Sequence, residues 1–139
     1  MTTSLLDRIG AHGLGVLVTL KRDGRPQLSN TTYTFDGERI RVSLTDDRAK
    51  TKNLRRDPRV SLYVNGPGGG SYVVLEGKAE LSPVAADPYD DVVEDLVDYY
   101  RTASGEHPDW DEYRRVMVTD KRLVLSMTID RAYGMPTPS

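Results

Sequence analysis

The stretch that decides the fold is residues 14–44, LGVLVTLKRDGRPQLSNTTYTFDGERIRVSL. Its opening residues are apolar and β-branched at their centre, and residues 26–35 alternate well enough for a second strand. Between them, Arg22-Asp-Gly-Arg25 carries the Asp-Gly pair of a tight hairpin. Asp36-Gly37 makes another hairpin into a strand over 40–44, whose apolar side chains share one face. The stretch therefore predicts three consecutive antiparallel strands.

The rest of the chain extends this pattern. Ser4 begins a short capped helix that Gly10 and Gly13 end. The later predicted elements are a helix from Asp46 or Asp47 to about Arg56, a strand over 60–64, a glycine-rich loop over 65–70, a strand over 72–81 with a bend at Gly77, a helix from Asp87-Pro88 to Gly105, a helical piece over 110–118 and a strand over 122–133. Six strands with these turns predict a mainly β fold: an antiparallel sheet closed into a small barrel, with peripheral helices, in one domain over 1–139.

Composition restricts the classes of function. The 139 residues contain no cysteine, so a disulfide, a thiolate metal ligand and a cysteine nucleophile are all excluded. Nineteen Lys and Arg against twenty-one Asp and Glu give a net charge of -2, which argues against a nucleic-acid partner. No apolar run approaches the roughly 18 residues of a membrane span, and the amino terminus lacks a secretory pattern. We therefore expect a cytoplasmic protein with no membrane partner.

Familiar catalytic and metal-binding motifs are missing. His12 and His107 stand in Gly- or Pro-flanked turns without a third ligand at suitable spacing, so no metal site is predicted. The glycine-rich loop over 65–70 does not lead into a helix, which favours a hairpin connection over a phosphate cradle. The acids between Asp90 and Asp98 are interpreted as a helix amino terminus and a solvated face. No side chain is predicted to be a catalytic acid, base or nucleophile.

The most informative segment for function is residues 43–58, SLTDDRAKTKNLRRDP. A strand ends there and a helix opens with Arg48, Lys50 and Thr51 in or near its first turn. Cations at a helix amino terminus oppose the helix dipole, whereas free backbone N–H groups, two cations and a hydroxyl together suit a phosphate. A solvated basic helix fits the spacing equally well, so the residues alone leave both interpretations open.

Four stretches resemble a known family. Residues 23–30, DGRPQLSN, and 48–58, RAKTKNLRRDP, are similar to the actinobacterial branch of the pyridoxamine 5'-phosphate oxidase-like proteins. Residues 105–113, GEHPDWDEY, and the YGMP at 133–136 also resemble that branch. It holds flavin and deazaflavin oxidoreductases, many of which use the 8-hydroxy-5-deazaflavin coenzyme F420. The resemblance implies a six-stranded split β-barrel of the FMN-binding type, working as a homodimer with its cofactor in the subunit groove.

The resemblance also implies which residues hold the cofactor. The phosphate would lie at Arg48 and Lys50 with Thr51 beside them, the second and third strands would line the ring, and the partner subunit would add two residues. The implied binding residues are Gln27, Leu28, Ser29, Asn30, Val42, Ser43, Leu44, Arg48, Ala49, Lys50, Thr51 and, from the partner, Ser71 and Tyr72. We expect Val42 to be shared between the core and the dimer interface.

The choice of cofactor follows from charge and from the branch. Lys52, Arg55, Arg56 and Arg59 are more cations than one phosphate requires, and they could attract the oligoglutamate tail of F420 or form a solvated helix face. We therefore expect an F420-dependent oxidoreductase that transfers a hydride between the cofactor and a small conjugated electrophile. An FMN-dependent pyridoxamine 5'-phosphate oxidase-like enzyme and a non-catalytic deazaflavin carrier are the alternatives.

Overall fold

The structure is a computed structural model that describes residues 4–137. Its strands are β1 (His12–Leu20), β2 (Pro26–Phe35), β3 (Ile40–Thr45), β4 (Arg59–Asn65), β5 (Tyr72–Leu81) and β6 (Arg122–Met135). Its α-helices are α1 (Ala49–Arg56), α2 (Asp91–Ser104) and α3 (Trp110–Thr119), and two short 3₁₀ helices span Leu5–Arg8 and Pro67–Gly69. Within the described range, no helix is both long and apolar enough to cross a membrane.

The six strands form one closed antiparallel barrel in the order β1-β2-β3-β6-β5-β4. The first three are consecutive in space as in sequence, so the predicted mainly β barrel with peripheral helices is confirmed. Going round the barrel in either direction, two strands separate β2 from β5. Strands β2 and β5 of one chain therefore do not pair with each other.

Alternate side chains of every strand fill the barrel, as the period-two pattern requires. Leu17, Ile40, Leu62, Leu75 and Leu125 are all essentially buried. The apolar faces of α2 and α3 pack outside the barrel, where they cover the outward-facing Val124 of β6. These two helices therefore shield one side of the barrel.

The predicted bend at Gly77 is a β-bulge in the pairing of β5 with β6. The register of the two strands shifts between Glu76 and Gly77. A Cβ atom at Gly77 would overlap the carbonyl oxygen of Thr128, so only glycine lets the strands approach this closely. The bulge thus closes the barrel at its longest seam.

Two predicted helix starts are wrong, and the prediction that Gly13 ends a helix is also wrong because Gly13 lies in β1. Helix α1 begins at Ala49, since the Asp46 backbone N–H still donates to the Lys121 carbonyl and holds the chain against β6. Helix α2 begins at Asp91, capped by the Asp90 carboxylate on the Val93 N–H.

Strands β2 and β3 separate soon after their hairpin. They pair only at Thr34 with Arg41 and at Phe35 with Ile40, whereas β1 pairs with β2 along its whole length. The first half of β2 therefore diverges from β3. This opening, which we call the β2–β3 gap, is bounded at one end by α1.

Candidate functional site

Helix α1 is fixed in the β2–β3 gap by a polar contact and an apolar one. The buried Asn53 side chain donates to the Thr19 hydroxyl at 3.2 Å and to the Gln27 amide oxygen at 2.7 Å. Leu54 enters the barrel core. Because these contacts hold the middle of α1 against β1 and β2, the first turn of the helix is held at the mouth of the gap.

Lys50 projects across this gap. Its ammonium lies 3.5 Å from the Ser29 hydroxyl on β2. Burial lowers the pKa of Lys50 from its ordinary value, and the nearby charges of Arg48 and Arg122 lower it further. Arg48 and Arg122 line one cleft, and both lie near enough to Lys50 to affect its pKa; we call the three residues the cation cluster (Arg48, Lys50 and Arg122).

Arg122 reaches the cluster from the first residue of β6, where it pairs with Thr45 of β3. Its Nη1 donates to the Ser43 hydroxyl at 3.4 Å. Its Nε is buried and has no hydrogen-bond partner among the described residues. A buried unsatisfied donor on a guanidinium is costly unless a ligand supplies an acceptor.

A cleft of about 480 Å³ opens beside the cation cluster. Arg48 and Arg122 line it together with Thr45, Ala49 and the carboxylate residues Asp47 and Asp120. No ion pair involving a cluster cation occurs in residues 4–137, although other arginines of the chain are paired with carboxylates. Arg48 also gives α1 no side-chain cap. The arrangement suits a phosphate, because an anion would neutralise the cluster and accept from its donors.

The resemblance-based site residues fall into three groups. Ser29, Ser43, Arg48, Ala49 and Lys50 meet at the gap and its cleft. Gln27 lies beside them, but its amide oxygen is already engaged by Asn53. The side chains of Val42 and Leu44 are fully buried inside the barrel, so only their backbone could line a ring, and their role in binding the cofactor stays a prediction. Val42 therefore also contributes no area to an interface.

Thr51 follows Lys50 in the first turn of α1, but its hydroxyl donates within the chain. Its side chain is fully buried, and its hydroxyl donates to the Thr45 carbonyl at 2.8 Å. That bond ties the first turn of α1 to the end of β3. Thr51 thus orients the helix that carries Arg48 and Lys50. Its hydroxyl proton is used in this bond and is not available to a ligand.

No hydrogen bond joins Leu28, Asn30, Ser71 or Tyr72 to the cation cluster within residues 4–137. Leu28 is 60% exposed and belongs to an apolar area on the outside of the barrel, which we call the apolar face. This face is formed by Val16, Val18, Leu28, Ser61, Tyr63, Val74 and Tyr133. Tyr72 stacks on Tyr63 with ring centroids 5.5 Å apart. Tyr72 is on β5, which pairs with β4 and β6 and not with β2.

Most of the basic run proposed for a cofactor tail is occupied by contacts within the chain. Arg55 forms an ion pair with Asp46, and Arg59 forms one with Asp57. Arg56 donates at 2.9 Å both to the Leu20 carbonyl and to the Asn53 amide oxygen. These contacts leave Lys52, exposed on α1, as the residue of the run with the most freedom to meet a ligand.

Sequence reasoning missed Arg122. The residue is far from Arg48 along the chain, and only the pairing of β3 with β6 brings the two together. A strand-initial arginine has no local pattern that marks it as a ligand. The signal lies in tertiary structure alone.

Comparison with known proteins agrees with this architecture. A solved structure of an F420 reductase is 25% identical, with a TM-score of 0.63, over 86% of this chain and 88% of that one. A conserved hypothetical protein from Mycobacterium tuberculosis is 27% identical, with a TM-score of 0.68, over 92% and 79%. A FAD-binding protein from Mesorhizobium loti, at 20% identity and a TM-score of 0.65 over 96% and 93%, shares the fold.

The family model described as pyridoxamine 5'-phosphate oxidase matches residues 1–135. That range includes all six strands, the β2–β3 gap and the three residues of the cation cluster. The resemblance found in short motifs therefore extends over nearly the whole chain, and the protein belongs to the pyridoxamine 5'-phosphate oxidase family.

Proposed function

We propose that the protein is an oxidoreductase that holds a flavin-type cofactor by its phosphate at the cation cluster. The observation that carries the proposal is the convergence of Arg48, Lys50 and Arg122 at the β2–β3 gap without a carboxylate partner in the described chain. Ser29 and Ser43 add hydroxyls beside two of these cations. Together they form a preorganised set of donors for phosphate oxygens.

Coenzyme F420 is the first candidate cofactor. The F420 reductase structure covers most of this chain at 25% identity, which supports the deazaflavin assignment. When bound, a reduced deazaflavin supplies a hydride from ring carbon 5 to an electrophile. The substrate class proposed is a small conjugated molecule such as an enone or a quinone. This chain's own residues would bind and orient the cofactor, and we assign no catalytic acid or base among them.

FMN is the second candidate, and one observation favours it. Arg55, Arg56 and Arg59 are held by Asp46, by Leu20 and Asn53, and by Asp57, as described above. A ligand that ends in one phosphate needs no further cations beyond the cluster. The structure therefore supports a phosphate site more directly than it supports a site for an oligoglutamate tail.

We also propose that the working unit is a homodimer whose second subunit sits on the apolar face. Leu28 on that face is the chain neighbour of Ser29 in the gap, so a second copy seated there would border the cofactor. Ser71 and Tyr72 of the partner subunit would then approach the cofactor held by the first subunit. Exposed apolar areas of this kind mark interaction surfaces in soluble proteins.

The experiment is to purify the protein from a host that makes both cofactors and to identify the copurified molecule by absorbance and mass. The control is the Arg48→Ala/Lys50→Ala variant, which should copurify with none. Oxidation of the reduced cofactor by a panel of enones and quinones then tests catalysis. Retention of cofactor without turnover would indicate a carrier, and a wild-type protein that binds neither cofactor would overturn the proposal.

A further inference from the structure

The hydrogen-bond ladder between β2 and β3 ends while both strands continue. In the hairpin, the Asp36 N–H donates to the Arg39 carbonyl at 3.3 Å, and the pairing ends two residues further along each strand. Hydrogen-bonded pairs recur at every second residue of an antiparallel ladder, so the next such pair would be Thr32 with Ser43. The observed pairing stops before it. If this pair formed, the two strands would close the β2–β3 gap from its inner end.

The Tyr99 hydroxyl of α2 lies where that backbone pair would form. It donates to the Thr32 carbonyl at 2.7 Å, and the Thr31 hydroxyl donates to the same carbonyl at 3.2 Å. Burial raises the pKa of Tyr99, and the Ser43 backbone N–H, which faces the phenol oxygen from β3, opposes that rise. Because a hydroxyl both donates and accepts, this one side chain serves both strands in place of the hydrogen bond between them.

Helix α2 holds the Tyr99 ring from outside the barrel. Val93, Leu96 and Val97 precede Tyr99 on α2, and all three are buried in the cluster that joins α2 to α3 and to Val124 of β6. Burying several apolar side chains on one helix face fixes the helix on the sheet. The phenol therefore keeps its place relative to β6, and it does not depend on β2 or β3 for its position.

We propose that Tyr99 is a positioning residue, whose hydroxyl replaces a backbone hydrogen bond between β2 and β3 and so keeps the β2–β3 gap open for the cofactor. The inference rests on the proposed function, since it takes this gap to be the place of the cofactor. Ser29 and Ser43, the hydroxyls beside the cation cluster, are carried by the two strands that Tyr99 keeps apart. Tyr99 thus acts on the ligand through these strands.

Loss of the hydroxyl should let the strands close. In Tyr99→Phe the Ser43 N–H loses its partner in a partly buried place, and a direct bond to the Thr32 carbonyl would satisfy it. A closed gap does not admit the cofactor, so the affinity falls with the fraction of molecules that remain open. One net hydrogen bond shifts such an equilibrium about five- to tenfold, which is the loss of affinity expected for FMN, riboflavin and F420 alike.

The test compares Tyr99→Phe with Tyr113→Phe. The Tyr113 hydroxyl donates to the Leu96 carbonyl at 2.8 Å, so this control loses the same kind of bond between α2 and α3 instead of between strands. Both variants should unfold at a lower urea concentration than wild type. Fluorescence titration should show weaker cofactor binding in Tyr99→Phe alone. Unchanged affinity in Tyr99→Phe, or an equal loss in Tyr113→Phe, would overturn the inference.

A second readout needs no ligand, so it separates this inference from the proposed function. In ligand-free Tyr99→Phe, NMR should detect a scalar coupling across a hydrogen bond from the Ser43 amide nitrogen to the Thr32 carbonyl carbon. Wild type and Tyr113→Phe should not show it. If the coupling appears only in Tyr99→Phe and wild type binds no cofactor, the role of Tyr99 stands and the cofactor assignment fails. A Tyr99→Phe protein without the coupling would refute the role of Tyr99, even where wild type binds its cofactor.

Discussion

The Tyr99 hydroxyl donates a hydrogen bond of 2.7 Å to the Thr32 carbonyl, and this contact joins α2 to β2 where that strand leaves β3. Extending the register of Thr34 with Arg41 would place Thr32 opposite Ser43. The Ser43 backbone N–H also faces the Tyr99 hydroxyl and opposes the rise that burial causes in its pKa. The tyrosine therefore bridges the two strands at the point where their ladder ends, and it defines the inner limit of the β2–β3 gap.

We expect Tyr99→Phe to lower the free energy of unfolding by about 1–3 kcal/mol, because the Thr32 carbonyl loses its partner in a part-buried place. Urea denaturation measures the change. The control is Tyr89→Phe, whose exposed hydroxyl lies 3.3 Å from Asp111, and it should change stability by less than about 0.5 kcal/mol. Equal effects of the two substitutions would show that the bridge is not a stabilising contact.

Lys50→Ala should weaken cofactor binding much more than it weakens folding. A lost charge-assisted hydrogen bond to phosphate costs about 1.5–3 kcal/mol, which is on the order of ten- to a hundredfold in affinity. Lys50 makes only a 3.5 Å contact to Ser29 within the chain, so its truncation removes little from the folded state. Isothermal titration together with thermal unfolding checks both parts, and unchanged affinity would place the phosphate elsewhere.

Lys50 should also make the ligand-free protein sensitive to pH. Burial, and then the charges of Arg48 and Arg122, lower its pKa from the ordinary 10.5. The unfolded chain therefore binds more protons than the folded one between these two pKa values, and stability rises with pH across that interval. Below the folded pKa the repulsion is fully present. We thus expect Lys50→Met to be more stable than wild type at neutral pH, by a margin that shrinks as the pH rises.

Denaturant titrations of both proteins at a series of pH values measure this margin. Ser29→Ala, which removes the hydroxyl beside Lys50 and keeps the cation, is the matched control and should retain the wild-type pH dependence. A margin that stays constant or grows with pH would contradict the assigned cause of the pKa shift.

Salt dependence should distinguish Lys52 from Arg55 on the same helix. If the F420 tail passes α1, Lys52→Ala should flatten the fall of F420 affinity with added salt, since exposed charges are screened beyond about 8 Å at physiological ionic strength. Arg55→Ala should have little effect, because Asp46 already neutralises that guanidinium. Fluorescence titration at several salt concentrations tests this. If F420 affinity depends on salt concentration in the same way for wild type and Lys52→Ala, the tail does not pass α1.

Leu28→Asp should convert the proposed dimer to a monomer and abolish cofactor retention, because it places a charge in the middle of the apolar face. Light scattering gives the mass, and absorbance gives the cofactor content. Val116→Asp, at a 38% exposed apolar side chain on α3, is the control and should change neither. A wild-type monomer that holds its cofactor at micromolar concentration would end the dimer proposal.

Local sequence patterns predict much of this fold. Strand β2 begins and ends where the pattern of Pro26–Phe35 places it, and the Gly77 bend is a bulge. The start of α1 was missed because it depends on a contact with a distant part of the chain, whereas the start of α2 is set by the local cap of Asp90 on the Val93 N–H. Asp46 is a residue type that often caps a helix, but here its backbone N–H donates to the Lys121 carbonyl and the helix starts later. No sequence pattern near residue 46 predicts that hydrogen bond.

The site residues also divide into those that local sequence patterns predict and those that only tertiary contacts bring together. Lys50 and Ser29 could be predicted because short motifs carry them, and the structure places them together. Arg122 could not, because only strand pairing brings it to Ser43. The tail-binding role of Arg55 and Arg59 stays a prediction, and each of the two forms an ion pair with a carboxylate of its own chain.

If the proposed dimer completes each cofactor site with residues next to β5 of the other copy, ligand occupancy depends on the association of the two subunits. If residues of both subunits form each site, the two sites of the dimer are complete only while the subunits are associated. Dissociation of the dimer then weakens binding of the ligand. By linkage, the ligand must tighten the association of the subunits by the same factor that association tightens the ligand. Dilution alone should then release cofactor, and saturating cofactor should hold the pair together at concentrations where the empty protein comes apart.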